Sequence, residues 1–233
     1  MEKKVVIITA ASRGMGAACA RELADQGYAM VLMARSESVL DLARDLNSVG
    51  HVGSVTNPQD LERLKTIAID SWGRIDAVVN NTGHPAKGEL LEISDKEWYE
   101  GMDLLLLNVI RMTRYVVPVM EQQGGGAFVN ISTLGACEPN LDFPVSSTLR
   151  AALSGFTKLF ATRYAGKNIR MNNVLPGYID SYEIGDEIRT SIPMQRSGAV
   201  ADIAKTVAFL ISSNSSYITG QNIRVDGGLA KSI

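Results

Sequence analysis

The stretch VVIITAASRGMGAACARELADQ, which runs from Val5 to Gln26, decides the fold of this chain. It begins as an apolar strand, passes through a turn of small residues that contains Gly14 and Gly16, and continues as a helical pattern from Ala17. Such a unit directs the unpaired N–H groups and the positive dipole end of a helix toward the space beyond the strand, where they can bind a phosphate. The two glycines allow a ligand to approach the backbone closely. The stretch therefore predicts a nucleotide site at the first turn from strand to helix.

Short apolar runs recur along the chain between amphipathic helical patterns. They are nearly continuous in apolar residues rather than alternating, which is typical of parallel strands covered by helices on both faces. The connections are long enough for crossover helices, and no Pro-, Gly- or Ser-rich linker divides the chain. We therefore predict an α/β fold with one domain over residues 1–233, a Rossmann-type doubly wound parallel sheet of about seven strands with helices on both faces. The runs predicted as strands are Val5 to Thr9, Ala29 to Met33, Ala77 to Val79, Ala127 to Ile131, Met171 to Leu175 and Ile223 to Val225.

A long apolar segment lies in the middle of the chain. Leu91 to Met120 is apolar at helical spacing on more than one side, which indicates a long buried helix. The run Gly124 to Gly126 follows it and indicates a turn into the next strand.

Composition and charge exclude several classes of protein. The 233 residues are 45% hydrophobic and 21% charged, as in a globular chain rather than a disordered or fibrous one. The 23 Lys and Arg against 25 Asp and Glu give a net charge of −2 without a block of like charges, so we expect no nucleic-acid partner.

No apolar run approaches the roughly 18 residues of a membrane span, and the first residues lack a signal-peptide pattern, so we expect a cytoplasmic protein without a membrane partner. Cys19 and Cys137 match neither a disulfide framework nor a metal-ligand spacing, and we expect no metal.

The residues after the second strand favour NADP(H) over NAD(H). In folds that bind NAD, an Asp or Glu about 20 residues after the glycines binds the ribose hydroxyls. Here the strand ends in Ala34, Arg35 and Ser36, and Arg13 lies in the first turn. Both guanidinium groups can donate charge-assisted hydrogen bonds to a ribose 2′-phosphate, which a carboxylate would repel. The alternative is that they are plain surface arginines, and Glu37 lies close to them in the sequence.

Four motifs in order along the chain resemble those of the short-chain dehydrogenase/reductase family, and in particular its 3-oxoacyl-acyl-carrier-protein reductases. They are the turn Thr9 to Gly16, the motif Asn80 to Gly83, the pair Pro176-Gly177 and the closing run Ile218 to Gly228. The resemblance covers essentially the whole chain. It implies a nicotinamide dinucleotide, a small-molecule substrate and a homotetramer or homodimer. The cofactor-binding residues predicted in this way are Thr9, Ser12, Arg13, Gly14, Met15, Gly16, Arg35, Asn80, Thr82, Gly83, Arg150, Pro176, Gly177 and Ile179.

The catalytic positions implied by the same resemblance carry other residues. The family's general acid is a Tyr four residues before a Lys, on the helix after the fifth strand. Aligning the run Ala151 to Leu153 puts Ser146 at the Tyr position and Arg150 at the Lys position. Both side chains share one helix face, because they are four residues apart. Arg150 can hydrogen-bond a ribose and stabilise an oxyanion, but it stays protonated and donates no proton.

The serine that holds the substrate carbonyl in this family has two candidates here. Spacing to Gly135 favours Ser132, and spacing to Ser146 favours Thr133, so both are kept. Both belong to the predicted end of the fifth strand.

Other family positions also differ. The helix Asn of the family aligns with Leu105, and Asn108 lies three residues further on, roughly 300° around an α-helix. Ala10 replaces the first glycine of the turn, and Ser54 stands where the family has an Asp near the adenine.

A proton donor must then lie elsewhere, because a serine hydroxyl is a far weaker acid than the phenol of tyrosine, whose pKa is about 10. His84 directly follows the Asn80 to Gly83 motif, and its pKa of about 6.5 suits a general acid near neutrality. Tyr178 and Tyr182 are alternatives, and Glu138 and Asp142 are interpreted as surface charges. The predicted catalytic residues are Ser132, Thr133, Ser146, Arg150 and His84.

These residues leave three functions open. The favoured one is an NADP-dependent oxidoreductase that transfers a hydride to or from a small carbonyl, hydroxy or enone substrate with a non-standard proton donor. A Ser at the Tyr position is similar to the dienoyl-coenzyme A reductases, but they carry a Tyr upstream, and this chain has none between Val116 and Ser146. The second is a nucleotide-binding pseudoenzyme or partner subunit. The third is a cofactor-free lyase similar to the halohydrin dehalogenases, which have Arg at the Lys position but keep the Tyr and lose the glycine turn.

Overall fold

A parallel sheet of seven strands forms the centre of the fold, in the order β3-β2-β1-β4-β5-β6-β7. The computed structural model describes residues 3–181 and 183–232. The strand order reverses between β1 and β4, and open α/β sheets bind ligands at such a point, beyond the carboxyl ends of the strands. The strands are β1 Val5–Thr9, β2 Ala29–Ala34, β3 Val49–Val52, β4 Ala77–Asn80, β5 Gly126–Ile131, β6 Ile169–Pro176 and β7 Asn222–Val225.

Helices connect the strands and cover both faces of the sheet. One face packs against α1, α2 and α8, and the other against α3, α5 and α6. This architecture confirms the predicted single-domain, doubly wound α/β fold. The helices are α1 Gly14–Asp25, α2 Ser38–Asp45, α3 Pro58–Trp72, α4 Asp95–Met102, α5 Asn108–Gln122, α6 Pro144–Tyr164, α7 Asp186–Ser191 and α8 Val200–Ile211.

The central strands are apolar along their whole length because both of their faces are covered. All five residues of β1 and all six of β2 are buried. Phe128 of β5 is fully buried, and its ring meets Phe160 of α6 edge-on at 5.4 Å between centroids. This contact helps to hold α6 against the sheet, beside the carboxyl ends of β4 and β5.

The long helix predicted over Leu91 to Met120 has a different start. Leu91 is 95% exposed in a turn, and the helix begins only after Ser94, whose hydroxyl accepts a hydrogen bond from the backbone N–H of Glu97. The carboxylate of Glu97 accepts one from the N–H of Ser94 in return, which completes a capping box. Between α4 and α5 the helix widens into a π-helical turn, Asp103–Leu107.

No helix in the described part of the chain is long and apolar enough to cross a membrane.

Candidate active site

The turn between β1 and α1 is built for close approach of a ligand to the backbone. A Cβ on Gly16 would lie 2.3 Å from the carbonyl oxygen of Ala10, so no side chain fits there. Ala10, which stands at the family's glycine position, has a φ of +46°, the left-handed conformation that glycine adopts without strain. The side-chain amide of Asn81 donates to the Ala10 carbonyl at 3.2 Å and supports this conformation. The turn therefore keeps the shape of a glycine turn although its first glycine is absent.

Thr9 joins the ends of two strands. Its hydroxyl donates to the main-chain oxygen of Asn81 at 2.7 Å and accepts from the Asn81 N–H at 2.9 Å. Thr9 is 2% exposed. Its side chain thus has a structural role between β1 and the segment after β4, and its predicted contact with a cofactor stays a prediction.

The far end of the nucleotide edge carries two exposed arginines. Arg13 precedes α1, Arg35 directly follows β2, and neither side chain makes a hydrogen bond or ion pair with any described residue. Ser54 lies two residues after β3, and its N–H donates a hydrogen bond to the carboxylate of Asp60 at 2.8 Å. Both guanidinium groups are therefore available to an anionic ligand, and Glu37 is exposed beside them.

A row of asparagines crosses four neighbouring strands, and those in β4, β5 and β6 are buried. No motif in the sequence points to this row. The amide of Asn80 donates to Asn130, Asn130 donates to Asn173, and Asn173 donates to Asn222, each at 2.8 Å. These residues are direct partners in the register of β4, β5, β6 and β7. Thr157 of α6 adds a hydrogen bond to Asn173 at 2.9 Å. We call Asn80, Asn130, Asn173 and Asn222 the asparagine row. It runs from the exposed Asn222 to Asn80 at the carboxyl end of β4.

The first half of α6 carries Ser146 and Arg150, which are 8% and 6% exposed. Arg150 donates from Nη1 to the main-chain oxygen of Ile131, the last residue of β5, at 2.7 Å. Burial lowers the pKa of the Arg150 guanidinium from its usual 12.5 to about 10, so the group remains charged at neutral pH. The structure therefore holds a buried cation against the carboxyl end of a central strand.

Buried side-chain atoms without a hydrogen-bond partner mark the same region. In the described part of the chain they are Thr82 Oγ1, Asn108 Oδ1, Ser132 Oγ and Arg150 Nε. Thr82 and Ser132 follow the paired strands β4 and β5 by two residues and one residue, and Arg150 bonds the residue before Ser132. Most buried polar groups in proteins are hydrogen-bonded, so such a concentration of unpaired atoms indicates a place where a ligand supplies the partners.

Ser132 and Thr133 differ in their surroundings. Ser132 is 6% exposed and its N–H donates to Val174 of β6 at 2.8 Å, whereas its hydroxyl is one of the unpaired buried atoms. Thr133 is only half-buried and precedes a short 3-10 turn, Leu134–Ala136. Both lie at the end of β5, and the alternative between them stays open.

Leu105 and Asn108 occupy the π-helical turn and the residue after it. Leu105 is 1% exposed and packs in one cluster with Val145 and Leu149, the neighbours of Ser146 and Arg150. The amide of Asn108 donates to the Leu104 carbonyl at 2.7 Å, and its own oxygen is buried without a partner.

Among the candidate proton donors, His84 lies near the charges of Arg150 and Lys87. Burial lowers the pKa of His84 below its ordinary value of 6.5, and the charges of Arg150 and Lys87 lower it further. Tyr178 is exposed after β6, and Tyr182 lies outside the described residues. Glu138 does not behave as a free surface charge: it accepts hydrogen bonds from the main-chain N–H groups of residues 231 and 232 and from the hydroxyl of Ser232. Asp142 is exposed.

The segment after β6 is held in place on one side of the site. Gly177 packs against Asp226, since a Cβ on it would lie 2.9 Å from the Asp226 Cα. Ile179 is 6% exposed and pairs with Gly198 in an isolated bridge. The predicted residues Pro176, Gly177 and Ile179 therefore lie on an ordered segment at the carboxyl end of β6.

Cys19 of α1 is buried in the core, and Cys137 is half-buried in the segment after β5. Burial raises the pKa of the Cys19 thiol to about 12, with a smaller contribution from Glu22, so it remains a protonated core residue. Within the described residues, no three His, Cys, Asp or Glu side chains are grouped closely enough to hold a metal ion.

A surface cavity of about 590 Å³ lies elsewhere, between the ends of α3 and α5 on the amino side of the strands. It is lined by Lys65, Asp70 and Gln123 among others.

Comparison with known proteins identifies the family. The family model described as "Enoyl-(Acyl carrier protein) reductase" matches residues 9–230. The chain is 32% identical over 239 residues to the 3-oxoacyl-acyl-carrier-protein reductase FabG of Vibrio cholerae, with 98% of each chain covered. The chain belongs to the short-chain dehydrogenase/reductase family. Another short-chain dehydrogenase/reductase, "Dehydrogenase/reductase SDR family member 4" of Homo sapiens, is 33% identical over 244 residues, which cover 98% of this chain and 88% of that protein.

Two solved structures of reductases share this fold. YwfH, an NADPH-dependent reductase involved in bacilysin biosynthesis, superposes with a TM-score of 0.95 at 26% identity over 100% of both chains. L-sorbose reductase from Gluconobacter frateurii, solved with NADPH and L-sorbose, gives 0.91 at 28% identity over 100% of this chain and 98% of that one. This short-chain dehydrogenase/reductase is thus an oxidoreductase with a nucleotide-binding Rossmann fold, as the sequence predicted.

Proposed function

We propose that this protein is an NADP(H)-dependent oxidoreductase that transfers a hydride to or from a small carbonyl, hydroxy or enone substrate, with a proton donor other than a tyrosine on α6. The observation that carries this proposal is the group of unpaired buried polar atoms at the carboxyl ends of β4 and β5, beside an intact nucleotide turn. Together they suit a polar substrate bound beside a dinucleotide.

The residues of the nucleotide edge fit a dinucleotide. The absence of space at Gly16, the left-handed φ of +55° at Gly14 and the lack of acidic residues in the first turn of α1 all suit a pyrophosphate. Arg13 and Arg35 would hold a 2′-phosphate, and Asn80 and Thr82 stand at and just beyond the carboxyl end of β4, next to β5. NADPH, when bound, supplies the hydride.

Arg150 acts in this proposal as a fixed positive charge. The desolvated guanidinium, held by the Ile131 carbonyl, stabilises negative charge that develops on a substrate oxygen without having to reorganise. Ser132 or Thr133 donates a hydrogen bond to the same oxygen. Ser146 takes the family's tyrosine position, but a serine without an adjacent base is too weak an acid to give up its proton.

The proton therefore comes from a displaced donor, and His84 is the residue proposed. The low pKa of His84 means that it is mainly neutral at pH 7, so the protonated donor becomes abundant only in more acidic solution. Tyr178 and Tyr182 remain the alternatives.

The test combines binding with turnover. Titrations of NADPH and NADH, followed by protein fluorescence, measure both affinities, and a panel of ketones, quinones and enones measures NADPH oxidation. We expect NADPH to bind more tightly and at least one substrate class to be reduced. Tight NADPH binding without reduction of any substrate would identify a pseudoenzyme, and absence of dinucleotide binding would favour a cofactor-free lyase.

We also propose a homotetramer or homodimer in the cytoplasm. Large apolar side chains are exposed on α6 and before β7, with Leu159 72% exposed and Tyr217 fully exposed. Exposed apolar groups of this size suit a subunit interface. Light scattering coupled to size-exclusion chromatography measures the mass directly, and a monomer at micromolar concentration would contradict this assembly.

A further inference from the structure

Arg150 has no counter-ion in the part of the chain that the structure describes. The residue is 6% exposed, and among the described residues no carboxylate lies within salt-bridge distance of its guanidinium. Its one hydrogen bond goes to a neutral main-chain oxygen, and its Nε is buried without a partner. Burying a charge without an opposite charge is strongly unfavourable, so a buried arginine of this kind is best satisfied by an anion that enters with a ligand.

The loop after β4 carries two more basic side chains, His84 and Lys87, which are both exposed. Gly101 of α4 has no room for a side chain, because a Cβ there would lie 2.4 Å from Val145 of α6 and 3.6 Å from Pro85 of the loop. Residues 84–88 are therefore packed beside the first turn of α6. Lys87 places its Nζ 4.6 Å from the centre of the Phe143 ring, directly before that helix. We call Lys87 and Arg150 the cationic wall; His84, beside them, is mainly neutral at pH 7.

The acidic residues nearby do not neutralise the cationic wall. Glu89 and Asp142 are exposed, and within the described ranges neither forms an ion pair with Lys87. The carboxylate of Glu138 is engaged by residues 231 and 232. Burial lowers the pKa of His84, and the nearby charges of Arg150 and Lys87 lower it further.

Resting on the function proposed above, we infer that the substrate is itself an anion: a small oxo or unsaturated carboxylic acid. Its carboxylate binds to Lys87 at the mouth of the pocket, and its reacting oxygen faces Arg150. The phosphates of a dinucleotide do not satisfy the cationic wall, because their site lies at the amino end of α1, beside β1. A carboxylate, in contrast, matches a lysine as a flexible point charge near solvent.

The decisive experiment compares acids with their methyl esters. The probes are 4-phenyl-2-oxobutanoate, acetoacetate and cinnamate, each against its own methyl ester, with NADPH oxidation as the readout. We expect kcat/KM to be at least tenfold higher for one or more acids than for the matching ester. Because the Debye length falls from about 30 Å at 0.01 M to 8 Å at 0.15 M ionic strength, this ratio should decrease as salt is added.

Variants of Lys87 assign the preference to this side chain. Lys87→Met keeps the length of the side chain without its charge and should raise KM for the acid about tenfold, with little effect on the ester. Lys87→Arg keeps the charge over Phe143 and should restore the preference. Lys96→Met, on the exposed face of α4, is the matched control and should leave the ratio unchanged. The ratio of kcat/KM for the acid to kcat/KM for the ester is used, because any effect of Lys87 on His84 influences both substrates alike.

Calorimetry separates this inference from the proposed function. Each acid is titrated into the protein saturated with NADP⁺, where no reduction occurs. Binding of an acid, but not its ester, that is lost in Lys87→Met supports the inference even if nothing is turned over, and only the proposed function then fails. Equal binding and equal kcat/KM for every acid and ester overturns the inference, even if all of them are reduced.

Discussion

Arg150 of α6 donates from Nη1 to the main-chain oxygen of Ile131, the last residue of β5, over 2.7 Å. This bond places the guanidinium between α6 and the strand end that precedes Ser132. Because the acceptor is neutral and belongs to the sheet, the position of the cation depends on how α6 packs against β5. The bond orients the charge without neutralising it, and this is the property that an oxyanion-stabilising group needs.

The first prediction concerns this cation. Arg150→Ala should weaken dinucleotide binding or abolish turnover, and Arg150→Lys should be milder for binding because a positive charge remains. A buried amine loses its proton more easily than a guanidinium, so the dinucleotide affinity of Arg150→Lys should fall with rising pH well before that of the wild type, whose cation has a pKa of about 10. Fluorescence titrations of the dinucleotide at a series of pH values measure this difference. Normal binding and turnover in Arg150→Ala would assign the residue to packing alone.

The second prediction concerns the choice of cofactor. Arg35→Asp should reverse the preference from NADPH to NADH, since the change removes a partner of the 2′-phosphate and adds an acceptor for ribose hydroxyls. A charge-assisted hydrogen bond contributes about 1.5–3 kcal/mol, which corresponds to roughly ten- to a hundredfold in affinity. Fluorescence titration with each dinucleotide gives both constants, and Arg44→Asp on the exposed face of α2 is the control. Equal affinity of the wild-type protein for the two cofactors would contradict the assignment.

The third prediction concerns the proton. His84→Ala should lower carbonyl reduction by a factor on the order of 10²–10⁴, and Ser146→Ala only by a modest factor. A donor must be protonated to act, so the rate should fall as pH rises through the pKa of His84, which lies below 6.5 in this site. This fall therefore occurs at a lower pH than the ordinary histidine pKa of about 6.5 would place it. Lys87→Met removes one of the charges that lower this pKa, so the falling limb should move to higher pH. A rate that does not change with pH below 6.5, together with unchanged activity of His84→Ala, would assign the donor to a tyrosine or to water.

The fourth prediction concerns the asparagine row. Asn130→Val leaves the side-chain N–H of Asn80 without its acceptor, whereas Asn173 keeps its bonds with Thr157 and Asn222. An unsatisfied buried group costs about 1–3 kcal/mol. Urea unfolding of Asn130→Val, Asn173→Val and the double variant should give a coupling energy of about 0.5–3 kcal/mol, because the two side chains are in direct contact. Asn214→Val, on the surface, serves as the control. Strict additivity of the two changes would show that the row does not act as a unit.

The sequence predicts an element and its bounds correctly where the pattern of residues is local and strong. The bounds predicted for β1, Val5 to Thr9, are those of the structure, because a buried parallel strand needs a continuous apolar run. The edge strand β3, Val49–Val52, was not among the predicted runs. It contains Gly50 and His51 and is only partly buried, so its composition differs little from that of a loop.

Other parts of the site depend on contacts that no local pattern specifies. An asparagine in each of four strands was visible in the sequence, at positions 80, 130, 173 and 222. Only the register of the sheet brings them into one row, since neighbouring members are up to 50 residues apart in sequence. The basic residue Lys87 was missed for a similar reason: its approach to Phe143 depends on how the loop after β4 packs on α4 and α6.

The π-helical turn Asp103–Leu107 has a consequence for insertions and deletions. A π turn accommodates one residue more than an α turn, because its hydrogen bonds span five residues instead of four. Removing one residue from it would therefore restore regular α-helical pitch, with α4 and α5 each keeping the face that it packs against the rest of the protein. The amide of Asn108, which bonds the Leu104 carbonyl inside the turn, would lose its acceptor geometry. Single-residue length changes should thus be tolerated by the fold at this point of the helix and felt mainly at Asn108, beside the pocket.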